Sequence, residues 1–456
     1  MASIPGSQFI ATGPGGEPVN VVETSGGTLP PPMSNTFNLE VWTGPPGSAP
    51  SSPGSGYQGL AILTNGGLGI ELISGSFGIT DDGTGHDSIS AYGTDESISG
   101  GAANVTLNLY GNGDVANGGG TDTITVYGDY DTVNGSGNDS ISVLGVGDLV
   151  NGGPGNDTIN IFNNYDTVTG GAGRDTINVF GQGESVTGGS GADAISVFGN
   201  YDQVVGGAGP DKINVFGQGD AVSGGTGADS INVFGNYDQV VGGTGHDAIN
   251  VFGQGDAVSG GTGPDSISVF GNYDTVFGGT GHDTINAFGQ GNTLDGGAGA
   301  DSIASYGNYD TINGGTGSDT INVFGQGDSV TGGAGTDSVS VYGNYNTIET
   351  GSGPDTINVI GSGDAIVAGG SGTGATALIN LTGSYNTFVD GPNTYNDTVV
   401  GFSQSSGDSI QLTGSDSVAY AVAHQVNSGG DTLITLNDGS TILLKGVSHI
   451  DSTFFS

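Results

Sequence analysis

The residue type most able to do chemistry here is aspartate, and its spacing is regular. From Asp122 an Asp recurs at Asp139, Asp157, Asp175, Asp193, Asp211, Asp229, Asp247, Asp265, Asp283, Asp301, Asp319, Asp337 and Asp355, a step of 18 after one first step of 17. Each follows a glycine-rich turn, as in Gly242-Gly-Thr-Gly-His-Asp247. Gly at the second and fourth turn positions is expected where the backbone needs positive φ and carbonyl oxygens must turn toward an ion. Carboxylate and carbonyl oxygen together suit a hard divalent cation, with Ca²⁺ the leading candidate, and a chain without Cys offers no thiolate for zinc or iron–sulfur chemistry.

Composition points the same way. Three Lys+Arg against 46 Asp+Glu give a formal charge of −43, and Gly supplies 96 of 456 residues. That balance alone would predict disorder, so something must neutralise the carboxylates before they can sit close together. Arg174, Lys212 and Lys445 are too few to hold phosphates, which excludes nucleic acid as a partner and disfavours an anionic membrane surface. No apolar run approaches the roughly 20 residues of a spanning helix, so no membrane insertion is expected. Met1 to Gly16 lacks the charged and apolar regions of a cleavable signal peptide, so export would use another route.

Fixed self-similarity is the signature of a solenoid. Each 18-residue unit reads as two nonapeptides, Gly242-Gly-Thr-Gly-His-Asp-Ala-Ile-Asn250 followed by Val251-Phe-Gly-Gln-Gly-Asp-Ala-Val-Ser259. Ile249 and Val251 in one half and Val258 in the other alternate as the inward face of short strands, and the Gly and β-branched content excludes helix. Two strands and two turns make one coil around a thin core of Ile and Val.

The first half of the unit matches G-G-x-G-x-D-x-U-x, and over roughly Asp87 to Gly372 the chain resembles the RTX family of haemolysin-type calcium-binding nonapeptide repeats. That resemblance implies an all-β fold, a right-handed parallel β-roll or β-solenoid with calcium between successive 18-residue coils. It gives the fourteen Asp residues above the role of metal ligands. It also implies bacterial export by the type I secretion machinery, a reading to which the C-terminal segment adds, since it is similar to the uncleaved signal regions of exported RTX proteins.

Around the repeats at 87–372 the chain divides into a Pro/Gly-rich segment, 1–56, N-terminal cap strands, 57–86, and a C-terminal cap and secretion-signal region, 373–456. The first segment reads as an extended arm, with Pro30-Pro31-Pro32 and Gly44-Pro45-Pro46, in which Phe37-Asn-Leu-Glu-Val-Trp42 alternates as a strand does. After Gly369 an insertion breaks the register before Ile379, and Asp438-Gly439 between two alternating runs signals a hairpin. Leu433, Leu436, Leu443, Phe454 and Phe455 are the expected apolar cap.

The second turn of each coil departs from the pattern. Asp131, Asp148, Asp166, Asp202, Asp220, Asp238, Asp256, Asp274, Asp310, Asp328 and Asp364 hold its sixth position, but Glu184, Asn292 and Asn346 interrupt them and the Gly pair is replaced, as by Val251-Phe252. This argues against a full second calcium ladder. Strand spacing sets column neighbours about 4.8 Å apart, where unit charges repel by about 0.9 kcal/mol even in water. One Ca²⁺ per coil offsets the two carboxylates of that coil; two would leave it positive.

Beside this turn run two aromatic columns. Asn-Tyr pairs such as 236–237 alternate with Gln-Gly pairs such as 254–255, so a Tyr on every second coil either packs the turn or forms a binding row. Phe162, Phe180, Phe198, Phe216, Phe234, Phe252, Phe270, Phe288, Tyr306, Phe324 and Tyr342 form a stripe that points outward under strict alternation, or tucks over the core if the chain bends at the corner.

These features leave a secreted, calcium-binding structural protein that assembles with itself into a filament, matrix or surface layer, at the cell surface or outside it. A calcium-dependent adhesin or an ice-binding solenoid is the rival. Catalysis is not expected: His is nearly absent, and RTX enzymes carry a separate catalytic domain before their repeats.

Overall fold

The computed structural model describes residues 8–12, 18–24, 29, 32, 37–42, 59–64, 67–72, 78–80, 86–100, 104–349, 351–367, 376–391, 396–414 and 416–456. It forms two compact units, Met1–Val222 and Ser223–Ser456. In each, the short strands of the repeats stack in parallel as a β-solenoid, pairing with their equivalents in the next coil. Ala248–Gln254 lies on Ser266–Asn272 with Ile249 opposite Ile267 and Val251 opposite Val269. Ala257–Thr262 lies on Thr275–Thr280 in a second sheet. The register follows from the repeat length, because a period of 18 puts like on like; where the first step is 17, Thr123 meets Ser140.

The core is as thin as the alternation predicts. Ile249, Val251 and Val258 are buried, two side chains from the first sheet and one from the second, and the same trio recurs as Ile177, Val179 and Val186 in the first unit. β-Branched residues restrict χ1 and suit such a pleated surface. Stacking them in register buries apolar surface continuously along each unit.

The segment expected to be an extended arm contributes strands instead. Gln8–Thr12 and Pro18–Thr24 form an antiparallel hairpin, and Phe37–Trp42 pairs in parallel with Pro18–Thr24 on one side and Gly59–Thr64 on the other. The alternating patch is therefore a strand with both edges used by its own chain, so it has no free edge to offer a neighbour. Gly59–Thr64 turns back on Gly67–Leu72, which enters the repeats through His86–Ala91.

The insertion after Gly369 changes the step and not the stacking, since Ile357 faces Ile379 at a spacing of 22. The end of the first sheet is covered by Thr441–Lys445, parallel to Asn396–Val400 and antiparallel to Asp431–Thr435. Gly439, at φ +93°, makes the expected turn. The cap buries Ile434, Leu436, Ile442 and Leu444, while Leu433, Leu443, Phe454 and Phe455 are half-buried. Strand alternation puts Leu433 and Leu443 on the face opposite Ile434 and Leu444, because a one-residue change of register exchanges the faces.

At the second turn, Tyr237 stands in the left-handed region at φ +61°, and Gly255, at the same place in the next coil, at φ +75°. A Cβ on Gly255 would lie 2.9 Å from the ring carbons Cδ1 and Cε1 of Tyr237. The period of 36 is thus a steric pairing, each ring lying over the glycine one coil on. Asn236 Oδ1 ties the same two coils by accepting the Gln254 N–H at 3.1 Å. Gly255→Ala should cost about 1–2 kcal/mol for the left-handed backbone alone, plus the clash with the ring. Thermal unfolding with calcium should show the loss, and Tyr237→Gly in the same chain should return the part due to the ring.

Candidate metal-binding edge

The Asp column of the consensus turns is buried. Asp247, Asp265 and Asp283 expose 0%, 2% and 1% of their surface. One carboxylate oxygen of each is engaged by the chain: Asp247 N–H donates to Asp265 Oδ1 at 2.8 Å, and Asp265 N–H to Asp283 Oδ1 at 2.8 Å. The first unit repeats this, with Asp139 N–H on Asp157 Oδ1 at 2.7 Å and Asp157 N–H on Asp175 Oδ1 at 2.8 Å. Such a charge-assisted bond is worth about 1.5–3 kcal/mol and holds each carboxylate in one orientation.

The second oxygen is left over in most of the column, although Asp122 Oδ2 accepts the Gly119 N–H at 2.9 Å. Oδ2 of Asp157, Asp175, Asp247, Asp265, Asp283, Asp301 and Asp355 is buried without a hydrogen bond. Burial, with the neighbouring carboxylates adding, pushes Asp157, Asp265, Asp301 and Asp355 up to about 6. A buried anionic oxygen without a donor is costly, so this column calls for a counter-charge.

The turn brings further oxygens close to that buried oxygen. A point where a Cβ would stand on Gly242 lies 2.7 Å from Asp247 Oδ2 and 2.5 Å from the carbonyl oxygen of Gly260, one coil on. For Gly260 the distances are 2.6 Å to Asp265 Oδ2 and 2.5 Å to the Gly278 carbonyl, and for Gly170 2.6 Å to Asp175 Oδ2 and 2.5 Å to the Gly188 carbonyl. Carboxylate and carbonyl oxygens of neighbouring coils thus converge beside a glycine whose place no side chain could take, a donor set of the kind calcium prefers. Gly243 and Gly245, at φ +115° and +151°, supply the bends that turn those carbonyls inward. No cluster of three or more His, Cys, Asp or Glu occurs among the described residues, so such an ion would rest on one or two carboxylates and on backbone carbonyls.

The second turn proves closer in structure to the first than its sequence suggests. Its acids are buried as deeply, Asp256 at 1% exposure, and make the same ladder: Asp238 N–H donates to Asp256 Oδ1 at 2.9 Å, and Asp256 N–H to Asp274 Oδ1 at 3.0 Å. The column also extends beyond the residues recognised in the sequence, through Glu96 and Asp114 at one end and Asn386 and Asp408 at the other. The insertion and the irregular first steps hide these members from a search at fixed spacing. Burial pushes Asp131 to about 7 and Glu184 to about 8. Glycines crowd the neighbouring coil at both edges, a Cβ on Gly253 standing 1.5 Å from the Gly235 carbonyl oxygen and one on Gly245 1.4 Å from that of Gly227, but the place of Gly242 is taken in the second turn by the buried Val251. One acid has a local partner, since Ser305, in a buried core position, donates its Oγ–H to Asp310 Oδ2 at 2.5 Å.

The Phe column points outward. Phe162, Phe180, Phe198 and Phe216 stack in the first unit at ring separations of 5.5, 4.9 and 4.7 Å. In the second unit Phe234 through Tyr342 stack at 4.7 to 5.0 Å with rings within 6° of parallel. Phe252 is 36% and Phe270 39% exposed.

The family model for the RTX calcium-binding nonapeptide repeat matches in four copies, at residues 165–195, 199–231, 273–303 and 309–339. No curated protein matches the chain. Among solved structures, a hyperactive, Ca²⁺-dependent, β-helical antifreeze protein from an Antarctic bacterium is similar at 25% identity and a TM-score of 0.40, over 53% of this chain and 83% of that one. The extracellular lipase LipA from Serratia marcescens is similar at 17% identity and a TM-score of 0.21, over 50% of this chain and 39% of the lipase. Calcium is what this repeat binds, and the oxygens that converge in the structure are those of its Asp and Gly columns. The chain thus carries four copies of the RTX calcium-binding nonapeptide repeat.

Proposed function

We propose that this calcium-binding repeat protein is a secreted structural element that assembles with copies of itself, its solenoid held by calcium at the consensus edge. The ligands in this reading are the Oδ2 atoms of the fourteen consensus Asp residues, Asp122 to Asp355, with first-position Gly carbonyls such as that of Gly260 from the next coil. Calcium supplies the positive charge that lets buried carboxylates stack. Export by the type I secretion machinery, to the outside of a bacterial cell or its surface, accompanies the repeat.

The observation that carries the assembly is the outward aromatic stack. Its ring faces are covered by one another within the chain, so only ring edges reach solvent, which suits a partner with an apolar stripe better than a flat ring to be stacked. A repeat of about 4.8 Å is commensurate with another solenoid of the same rise, so a second copy is the fitting partner. Ice binding is less well served: Asn250 spends its amide on Asn232 Oδ1 at 3.0 Å, and Asn178 on Asn160 at 3.0 Å, along the sheet and not toward solvent.

Two outcomes are expected. In titration calorimetry Asp247→Ala should lower the calcium stoichiometry, while Asp256→Ala, nine residues on, should leave it unchanged. Equal losses would mean two equivalent metal edges. In electron microscopy the calcium-loaded chain should form polymers that chelator disperses, and Phe252→Ser with Phe270→Ser and Phe288→Ser should stay monomeric with an unchanged circular dichroism spectrum. A wild-type chain that remains monomeric with calcium would end the assembly reading.

A further inference from the structure

The second-edge column admits Asn where the consensus column has Asp at all fourteen positions, and the orientation of those amides shows what the column holds. Asn346 Oδ1 accepts the Asp328 N–H at 2.9 Å, as an Asp in its place would, and this leaves Nδ2 facing inward, where it donates to the Gly325 carbonyl of the preceding coil at 3.5 Å. Asn386 does the same, accepting from Asp364 N–H at 3.0 Å and donating to the Gly361 carbonyl at 3.4 Å. Asn292 accepts from Asp274 N–H at 2.9 Å. Flipping any of these amides would set N–H against N–H, so the inward atom is a hydrogen donor. An amide nitrogen is no ligand for a hard cation.

The acids of this column place an oxygen where those amides place NH₂. The point above Gly343 lies 1.6 Å from the Gly325 carbonyl oxygen and 3.4 Å from Asn346 Nδ2; the point above Gly361 lies 1.5 Å from the Gly343 carbonyl and 2.8 Å from Asp364 Oδ2. The point above Gly325 lies 1.7 Å from the Gly307 carbonyl and 2.6 Å from Asp328 Oδ2. Oδ2 of Asp256, Asp328 and Asp364 is buried with no hydrogen bond to a protein donor. Two facing oxygens repel unless something positive lies between them, and the Asn positions say that a hydrogen suffices.

We propose that the second-edge carboxyls whose Oδ2 meets no donor, Asp256, Asp328 and Asp364 among them, are held as neutral acids, each donating its Oδ2 proton to a glycine carbonyl of the preceding coil, so that this edge is a seam closed by protons while the consensus edge is closed by calcium. The balance is simple: a carboxylate takes up one proton from solvent and shares it with a carbonyl, and no bond to carbon changes. The charged neighbour of Asp328 is Asp310, with Asn346 on its other side; Asp364 lies between Asn346 and Asn386; Asp256 lies between Asp238 and Asp274. Burial is the main cause that pushes Asp328 and Asp364 up to about 6 and raises Asp256. These values lie above the unfolded value of about 3.9, so the stability the proton gives is complete below that pH and is lost as pH rises through about 6. The calcium edge answers acid in the opposite sense, since protons compete with the metal for its oxygens.

The contrast rests on the one-edge calcium reading above, and one variant set tests the two separately. In Asp256→Asn with Asp328→Asn and Asp364→Asn, the amide supplies the donor permanently. With saturating calcium, the proton seam should make the wild-type thermal midpoint fall as pH rises from about 4 to about 6. The variant should lose much of that fall, match or exceed the wild type at the higher pH, and bind as many calcium ions. Infrared spectra of the wild type near about pH 5 should contain a protonated-carboxyl band that shrinks in the variant. Should the triple variant fail to fold, Asp364→Asn alone, flanked by two existing Asn residues, carries the same comparison. An unchanged pH slope, or no protonated-carboxyl band, overturns the proton seam and leaves the calcium edge standing. Loss of calcium ions from the variant overturns both readings.

Discussion

One contact recurs through the described repeats at both edges: a column residue's backbone N–H donates to the side-chain oxygen of its counterpart one coil on. Everything else at the edges follows from it. The contact fixes one carboxylate oxygen and, by the planarity of the group, aims the other inward. It also stacks like charges at strand spacing under the surface, where their repulsion is larger than the roughly 0.9 kcal/mol it would be in water. A solenoid built this way is incomplete as polypeptide alone, because most coils add a buried oxygen for which the chain supplies no donor. The two turns differ in what stands five residues before the acid, Gly242 at the consensus edge and the buried Val251 at the other.

The sequence made the core and the consensus edge legible because both are periodic in a way the physics demands. Ile249, Val251 and Val258 alternate at the strand period within a fixed repeat, and only a parallel stack lets every coil use the same trio. The Gly and Asp columns marked the calcium edge through an equally strict rule, since carbonyls must turn inward and a Cβ on Gly242 would fill the space between the oxygens. The Tyr–Gly alternation was readable as a size pairing for a similar reason, although its left-handed backbone at Tyr237 was not.

What remained hidden lies where alternation or spacing fails locally. The direction of Phe252 could not be settled, because strand alternation carries no authority at a corner. The strands at Gln8–Thr12, Pro18–Thr24 and Phe37–Trp42 were masked by Pro- and Gly-rich surroundings that read as an arm, though pairing depends on the alternating residues and not on what connects them. In the cap, runs with apolar residues on both faces left the inward face undetermined, and tertiary packing chose Ile434 and Leu444 over Leu433 and Leu443. The equal burial of the second Asp column escaped notice because its turn lacks the Gly pair. Burial is set by the shared hydrogen-bond ladder, which needs only an acceptor at the sixth position.

That last point explains the different tolerance of the two columns. An Asn keeps the ladder oxygen but replaces the inward oxygen with a donor. At the second edge the inward atom meets a carbonyl, as Asn346 meets Gly325, so a donor is suitable there. At the consensus edge the inward atom meets the space above a glycine and a carbonyl already turned toward it, and a donor would leave the converging oxygens without a positive centre. The consensus column therefore stays Asp through fourteen coils, while the other admits Glu184 and three Asn residues. A column's freedom to vary thus reports the chemistry of its inward atom, which for two equally buried rows of acid the depth of burial alone does not distinguish.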